Sequence, residues 1–202
     1  MPVVCLDMEG VLMPEIWKRI SEETGIGELK LTTRDVSDYN ELMEYRLKHL
    51  KENGIKINDI KSIAAEVEPL EGAEEFLDWL KKRANVSILT GSFYSFLLPL
   101  IRDLRWSPVI AKGLEQDEDG YVVDYYPKNR DMKVEAVKTL RDNGMRMAAI
   151  GDSFNDARML KEVEKGILFR PSEKVSEQLS EFPVVDTYQD LKKELEPFLE
   201  KA

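Results

Sequence analysis

From Pro69 onward, short apolar runs alternate with segments whose apolar residues recur at helical spacing, and this alternation constrains the fold more than any other feature. Strands that alternate with helices pair into a parallel sheet with helices on both faces. The sequence therefore predicts an α/β fold with a Rossmann-like core. The predicted strands are residues 2–7, 86–89, 109–111, 145–150, 166–169 and 184–185.

Helices are predicted between most of these strands, and one connection is predicted to be a β-hairpin. Residues 114–126 carry an Asp-Gly pair between two strand-like flanks, which is a strong hairpin signal. Ser92 is positioned to cap the helix that follows it. The predicted helices of this region are residues 71–83, 93–104, 131–142, 155–163 and 187–199.

Residues 14–68 separate the first strand from the alternating region and have a different pattern. Their apolar residues recur at helical spacing, and no convincing strand signal lies among them. We therefore predict that residues 14–68, the helical insertion, form a second domain. The α/β core is predicted to consist of residues 1–13 and 69–202. The predicted helices of the insertion are residues 15–23, 40–52 and 57–67.

Composition argues against several classes of function. The net charge of −10 over 202 residues opposes nucleic-acid binding, which requires a basic surface. No apolar run approaches the roughly 18 residues of a membrane span, and the chain opens with a strand rather than a basic-then-apolar leader. We therefore expect a cytoplasmic monomer or homodimer with no membrane or nucleic-acid partner.

The single cysteine is consistent with that compartment. Cys5 cannot form an internal disulfide, which indicates a reducing environment, and its apolar neighbours predict a buried core residue. A cysteine nucleophile would require a base, and the only histidine, His49, lies in an exposed helical pattern. Cysteine-based catalysis is therefore disfavoured.

The first motif with chemical content is D-M-E-G at residues 7–10, where the first predicted strand ends. Ligands of parallel sheets bind outside the carboxyl ends of the strands. Asp7 and Glu9 could bind a hard cation there through oxygen, or one could attack phosphorus while the other transfers a proton. The alternative is that Asp7 only caps a turn or a helix.

A second polar strand end is formed by Thr90, Gly91 and Ser92. A hydroxyl group and outward-facing N–H groups near a helix N-terminus suit a phosphate. Helix capping alone would explain the same residues.

The other two motifs are Lys133 and the segment G-D-S-F-N-D at residues 151–156. Lys133 could neutralise charge in a phosphoryl-transfer transition state, although most helical lysines are only solvated. Asp152, at a strand end, could hold Mg²⁺, and Asp156 could orient it or pair with Lys133. Segment 151–156 is the most specific of the four motifs.

The order of these residues along the chain matches the requirements of one mechanism. Asp7 would attack phosphorus, while Thr90 and Gly91 would hold the phosphoryl oxygens. Lys133 would neutralise charge, and Asp152 would complete a Mg²⁺ site. The residues therefore predict phosphoryl transfer through a covalent aspartyl-phosphate.

Together the four motifs resemble those of the haloacid dehalogenase-like phosphotransferase superfamily. The resemblance spans nearly the whole chain, because the helical insertion is similar to the cap domain of that superfamily. A narrower similarity is to the bifunctional phosphoserine phosphatase/homoserine phosphotransferase branch, which also has glutamate where most phosphatases of the superfamily have a second aspartate. The runs that carry it are C-L-D-M-E-G-V-L-M-P-E-I-W, T-T-R-D, P-L-E-G-A, G-D-S-F-N-D and G-I-L-F.

The resemblance implies a role for each matching residue. Asp7 would be the nucleophile and a Mg²⁺ ligand, and Glu9 would be the acid/base and a further cation contact. Asp152 would bind the metal, and Asp156 and Ser92 would support the site. The phosphate would be bound by Thr90, Gly91, Lys133 and, directly or through the water shell of the metal, Asn155.

Two residues of the helical insertion, Glu15 and Arg46, match positions that bind the amino-acid end of phosphoserine in that branch. A carboxylate suits an ammonium group, and an arginine grips a carboxylate through a bidentate fork. Each could instead be a solvated helix charge. Gly91 stands where some members of the branch have a larger residue, which leaves only backbone contacts at that position.

The expected function is a Mg²⁺-dependent phosphoserine phosphatase of serine biosynthesis, with homoserine as a second phosphate acceptor. Two alternatives stay open: a phosphatase of another small phosphorylated metabolite, and a catalytically silent ligand-binding protein of the same fold. The complete acidic set argues against the silent protein.

Overall fold

The core of the protein is one seven-stranded sheet, observed in a computed structural model that describes residues 1–32, 36, 38–128 and 132–201. The strands are β1 (Val3–Leu6), β2 (Asn85–Phe93), β3 (Val109–Gln116), β4 (Val122–Tyr126), β5 (Met147–Gly151), β6 (Lys165–Phe169) and β7 (Val184–Val185). Their order across the sheet is β4-β3-β2-β1-β5-β6-β7. Neighbouring strands are parallel except β3 and β4, which form the predicted hairpin. The predicted α/β core is confirmed.

Strand β1 lies at the centre of the sheet, and its alternate side chains pack on opposite faces. Val4 and Leu6 belong to one apolar cluster, and Val3 and Cys5 belong to the other. A strand buried on both faces has to be apolar throughout, which is the pattern of the first run in the sequence. Cys5 is fully buried as predicted, and this burial raises the pKa of its thiol to about 12.

Helices cover both faces of the sheet. Helices α4 (Ala73–Lys81) and α9 (Tyr188–Leu199) contribute to the cluster that contains Leu6. Helices α6 (Met132–Asp142), α7 (Ala157–Lys161) and α8 (Glu173–Gln178) contribute to the cluster that contains Cys5. Helix α8 was not predicted, because its segment is short and polar; it begins after Ser172, whose hydroxyl accepts from the N–H of Val175. The core helices are α4 (Ala73–Lys81), α5 (Tyr94–Leu97), α6 (Met132–Asp142), α7 (Ala157–Lys161), α8 (Glu173–Gln178) and α9 (Tyr188–Leu199).

The predicted helix 93–104 is mostly wrong, and so is the prediction that Ser92 caps it. Strand β2 continues to Phe93, which pairs with Lys112 of β3 after a register shift. Helix α5 therefore begins at Tyr94, with no side chain bonded at its N-terminus. It gives way after four residues to a 3₁₀ turn that contains a proline, Leu98–Leu100, because proline cannot donate the backbone bond that continues a helix.

The elements assigned within the described part of the helical insertion are all helical. Two predicted features reach beyond the described residues: positions 33–35 of the T-T-R-D run, and residue 131 at the start of the predicted helix 131–142. The boundaries 14–68 stay a prediction. The insertion contains α1 (Ile16–Thr24), the 3₁₀ helix Gly27–Lys30, α2 (Tyr39–Glu52) and α3 (Ile57–Ala65).

Among the described residues, the β3–β4 hairpin is hydrogen-bonded to the helical insertion near its tip and again further along. Near its tip, the carbonyl of Gly120 accepts from the N–H of Ile57 at 2.9 Å. Further along, the hydroxyl of Tyr125 donates to the side-chain oxygen of Asn40 at the start of α2. The hairpin thus supports the insertion from the side of the core. In the described part of the chain, no helix is long and apolar enough to span a bilayer.

Candidate active site

Three carboxylates meet at the carboxyl edge of the sheet. Strands β1 and β5 are neighbours with Leu6 opposite Ile150, so the residues that follow them emerge side by side. Asp7, Asp152 and Asp156 each place a carboxylate oxygen within 4.8 Å of the others. The alternation of strands and helices predicted this meeting of Asp7 with segment 151–156, and the structure confirms it.

Lys133, at the start of α6, lies between two of these carboxylates. Its ammonium group is 2.8 Å from Oδ1 of Asp7 and 2.8 Å from Oδ1 of Asp156. Burial alone would lower the pKa of Lys133, but the negative charges of Asp156 and Asp7 outweigh it and raise that pKa above its usual value. Lys133 is therefore a buried, permanently charged partner of the carboxylate cluster, rather than a solvated lysine.

Asp7 has one engaged oxygen and one open oxygen. Oδ1 accepts from the N–H of Met8 at 2.7 Å and from Lys133, whereas no described residue pairs with Oδ2. Burial is the main cause that raises the pKa of Asp7, and the charge of Asp156 adds to it. Fixing one oxygen aims the other at the adjacent cavity, which is the geometry that a nucleophilic carboxylate requires.

Asp156 is fully buried and organises the loop that follows β5. Its Oδ2 accepts from the N–H of Asp152 at 3.1 Å, and from the N–H and hydroxyl of Ser153 at 3.2 Å each. A Cβ on Gly151 would lie 2.3 Å from the Cβ of Asp156, so only glycine fits there. This packing gives a physical reason for the G-D-S-F-N-D pattern, and it makes Asp156 a support for the site.

Glu9 lies outside the three-carboxylate cluster. Its Oε1 accepts at 2.9 Å from the N–H of Ile16, the first residue of α1. Burial, followed by the nearby charge of Glu15, raises the pKa of Glu9 to about 7. A carboxyl group with that pKa is available near neutral pH both as an acid and as a base.

Gly10, between Glu9 and the insertion, lets the backbone approach the Asp152 carboxylate closely. Gly10 has a φ of +80°, and a Cβ there would lie 2.3 Å from Oδ2 of Asp152. Both the left-handed backbone and the contact exclude larger residues.

Segment 90–92 lies near the carboxyl end of β2. Thr90 is fully buried, and its hydroxyl oxygen accepts from the N–H of Ser92 at 3.0 Å. Gly91 and Ser92 line the cavity beside Asp7, and Thr90 does not. A Cβ on Gly91 would meet no heavy atom within 4 Å, so the space there would admit a larger side chain.

A cavity of about 90 Å³ lies between the core and the helical insertion. Of the predicted site residues, all except Thr90 and Asp156 line it. The lining residues that the sequence analysis did not select are Trp17, Thr32, Tyr39, Leu42 and Ser153.

Arg46 enters this cavity from α2 and is 4% exposed. Its guanidinium group lies 4.4 Å from the centre of the Trp17 ring, and one terminal N–H donates to the carbonyl of Leu31 at 2.6 Å. Its Nε has no partner among the described residues. Burial lowers the pKa of Arg46 to about 10, so it keeps its charge at neutral pH. Arg46 and Glu15 therefore place one charge of each sign at the side of the cavity formed by the insertion.

Tyr39 and Trp17 were missed because aromatic residues at helical spacing resemble ordinary core residues. Tyr39 begins α2, and its hydroxyl donates to the carbonyl of Gly91 at 3.0 Å. The two residues are 52 positions apart in the sequence. No local signal could have found this contact.

The chain is similar to several known proteins. A family model described as haloacid dehalogenase-like hydrolase matches residues 1–164. The phosphoserine phosphatase ThrH of Pseudomonas aeruginosa is 46% identical over 194 residues, covering 96% of this chain and 95% of that protein. A phosphoserine phosphatase of Pseudomonas syringae pv. tomato is 44% identical over 192 residues, covering 95% of this chain and 81% of that protein.

Among solved structures, a phosphoserine phosphatase in its apo form has the same fold. It superposes with a TM-score of 0.77 at 21% identity, and the alignment covers 96% of this chain and 97% of the other.

Proposed function

The chain belongs to the haloacid dehalogenase-like hydrolases, and on this basis we propose that it is a Mg²⁺-dependent phosphoserine phosphatase that acts through an aspartyl-phosphate on Asp7. One observation carries the proposal. The same small cavity is lined at the core by Asp7 and Lys133 and at the insertion by Glu15 and Arg46. A phosphate at one end and an amino acid at the other would complement these charges.

Carboxylate oxygens at the sheet edge suit a hard divalent cation, so the donor set fits Mg²⁺. Asp7 and Asp152 would hold the ion, while Asp156 would orient them, because its oxygens already bond to Lys133 and the 152–153 backbone. When bound, the ion would supply positive charge to the phosphoryl oxygens.

The first chemical step would be in-line attack by Oδ2 of Asp7 on the phosphorus of phosphoserine. The bond between phosphorus and the serine oxygen breaks as the new bond forms, and Glu9 gives its proton to the departing serine oxygen. Lys133 stays beside Oδ1 of Asp7 and favours the extra negative charge of the transition state.

The second step would return Asp7 to its starting form. A water molecule attacks the phosphorus of the aspartyl-phosphate, and the Glu9 carboxylate takes its proton. Phosphate leaves with its bond to Asp7 broken. A pKa of about 7 suits Glu9 to both steps.

The helical insertion would act as a cap that excludes bulk water during these steps. Arg46 would bind the substrate carboxylate through its fork of N–H groups, and Glu15 would bind the substrate ammonium.

Homoserine would be a second acceptor in place of water. Glu9 is longer than aspartate by one C–C bond, roughly 1.5 Å, and this length would favour an alcohol over a tightly held water. Comparing hydrolysis with transfer to homoserine in wild type and Glu9→Asp tests the idea. We expect the ratio to move toward hydrolysis, and an unchanged ratio would remove this role for Glu9.

A screen of phosphorylated amino acids and sugars with Mg²⁺, run with and without homoserine, tests the proposed function. We expect phosphoserine to give the highest kcat/KM, with no turnover in Asp7→Asn. Preference for a sugar phosphate would favour a phosphatase of another metabolite, and Arg46→Ala would then leave turnover intact. Absence of turnover on every substrate would favour the silent binding protein.

A further inference from the structure

Arg46 is a buried cation whose bonded partners carry no charge. Among the described residues, its guanidinium group donates to the carbonyl of Leu31 at 2.6 Å and to the sulfur of Met43 at 3.9 Å, and its Nε has no partner. The charges of Glu9 and Glu15 attract it, but neither forms an ion pair with it. Burying a charge is costly unless a group of opposite polarity faces it, so another group has to stabilise this one.

The ring of Trp17 is that group. The guanidinium carbon of Arg46 lies 4.4 Å from the centre of the ring, well inside the roughly 6 Å over which an aromatic face attracts a cation. A carboxylate in the same place would occupy two N–H groups of the arginine in a bidentate pair. The ring face stabilises the charge without forming such a pair, which agrees with the unpaired Nε.

Trp17 is itself held by aromatic residues of the core. It is 4% exposed, and it meets Phe96 edge-to-face at 5.6 Å and Phe93 at 6.5 Å. Phe93 ends β2, the strand whose residue Gly91 lines the cavity. The ring therefore relates the position of Arg46, in the helical insertion, to the core side of the same cavity.

We propose that Trp17 is a positioning residue for recognition of the substrate carboxylate. Its ring stabilises the buried charge of Arg46 and leaves N–H groups of the guanidinium available to the carboxylate of a phosphorylated amino acid. The inference rests on the proposed phosphatase function, and it explains how a buried arginine can stay charged without a carboxylate of the protein beside it.

Kinetics on two substrates test this role. Phosphoserine carries a carboxylate, whereas p-nitrophenyl phosphate carries none. We expect Trp17→Leu to raise KM for phosphoserine about 2- to 30-fold more than KM for p-nitrophenyl phosphate, the range that corresponds to a cation–π contact. The effect should fall on KM rather than kcat, because the carboxylate is bound both before and during the reaction. Trp17→Phe keeps an aromatic face and should recover part of the loss.

The chain contains a matched control in Trp79. The guanidinium group of Arg83 lies 4.7 Å from the centre of its ring, but Trp79 does not line the cavity. Trp79→Leu therefore removes the same kind of contact elsewhere, and it should leave the ratio of the two KM values as in wild type.

A double-mutant cycle with Arg46→Ala separates positioning from packing. Once the charge is removed, Trp17→Leu should cause no further selective rise of KM for phosphoserine. The same four proteins can be compared by urea denaturation without any substrate. Trp17→Leu should destabilise the protein more when Arg46 is present, because the charge is then left buried without its ring.

Several results would overturn the proposal. Equal rises of KM on the two substrates in Trp17→Leu would make Trp17 a packing residue only, and so would additive effects in the cycle. A selective rise in Trp79→Leu would show that the effect is not local. If Trp17→Leu did not fold, Trp17→Phe, whose face is weaker, should still show a selective rise, and its absence would contradict the role.

Failure of the proposed function would look different. A wild-type protein that cleaved p-nitrophenyl phosphate but not phosphoserine would count against that function. The unfolding cycle would then decide whether Trp17 stabilises the charge of Arg46, and an absence of coupling there would remove the inference as well.

Discussion

The hydroxyl of Tyr39, at the start of α2 in the helical insertion, donates a hydrogen bond to the carbonyl of Gly91 in the core, at 3.0 Å. The ring of Tyr39 meets that of Tyr125 edge-to-face at 5.8 Å, and the ammonium group of Lys112 lies 4.8 Å from its centre. Tyr39 thus connects the hairpin, the insertion and the segment beside Asp7.

Replacing Tyr39 with phenylalanine should keep the ring contacts and remove only the bond to Gly91. A neutral hydrogen bond contributes about 0.5–1.5 kcal/mol net, so kcat/KM for phosphoserine should fall roughly 2- to 10-fold. Steady-state kinetics check this, and Tyr45→Phe on the exposed side of the same helix is the control. Equal kinetics in the two variants would mean that the bond between Tyr39 and Gly91 does not contribute to turnover.

Lys133→Met should strongly destabilise the protein when no metal is added. It would leave Asp7 and Asp156 buried without their shared cation, and breaking a buried ion pair in this way costs about 3–5 kcal/mol. Urea denaturation in a chelating buffer measures the change in the free energy of unfolding.

The matched control for that experiment is Lys138→Met on the same helix, whose ion pair with Glu162 is partly exposed to solvent. Exposed pairs contribute about 0–1 kcal/mol. If the two lysine variants were equally stable, the bridging role of Lys133 would have to be abandoned.

Glu9 should give the two chemical steps opposite pH dependence. Its pKa, raised to about 7 by burial, divides the acid form below that pH from the base form above it. Formation of the phosphoenzyme needs the acid form and should slow as the pH rises through about 7. Its hydrolysis needs the carboxylate and should slow as the pH falls through the same range.

Rapid-quench measurements of the rates of the two steps would resolve their opposite pH dependences. They would run from pH 5.5 to 8.5, a range of about 1.5 units on either side of the pKa of Glu9. Glu9→Gln cannot titrate, so the rates of both steps should lose this pH dependence in that variant. If the rate of either step still changed with pH in this range, the titration would belong to another group.

Mg²⁺ should raise the melting temperature of the wild-type protein, because binding to the folded state alone stabilises it. At a concentration of 100 times the Kd the gain is about 2.7 kcal/mol. The gain should be largely lost in Asp152→Asn and retained in Asp142→Asn, where the substituted carboxyl group is exposed at the end of α6. The same gain in both variants would place the cation elsewhere.

The meeting of Asp7 with Asp152 could be predicted because it follows from a short-range pattern. Each carboxylate comes after an apolar run, and the carboxyl ends of parallel strands share one edge. Lys133 could be assigned only through the order of the motifs, since nothing in its own helix distinguishes it from a solvated lysine.

The end of strand β2 could not be predicted, and the Ser92 cap was therefore wrong, because the strand depends on long-range pairing. Strand β2 extends to Phe93 because Phe93 pairs with Lys112 of β3, beyond a shift in the register of the two strands. The bond from the Ile16 N–H to Glu9 and that from Tyr39 to Gly91 are also tertiary contacts, invisible to periodicity.

The hairpin supports the insertion through Gly120 and Tyr125, and neither residue lines the cavity. The carboxylates of Asp7 and Asp152 follow neighbouring strands of the sheet, so a change in the hairpin can alter the height and tilt of the insertion without moving them. Changes in hairpin length or sequence therefore offer a route to a different substrate specificity in which the carboxylate cluster is kept.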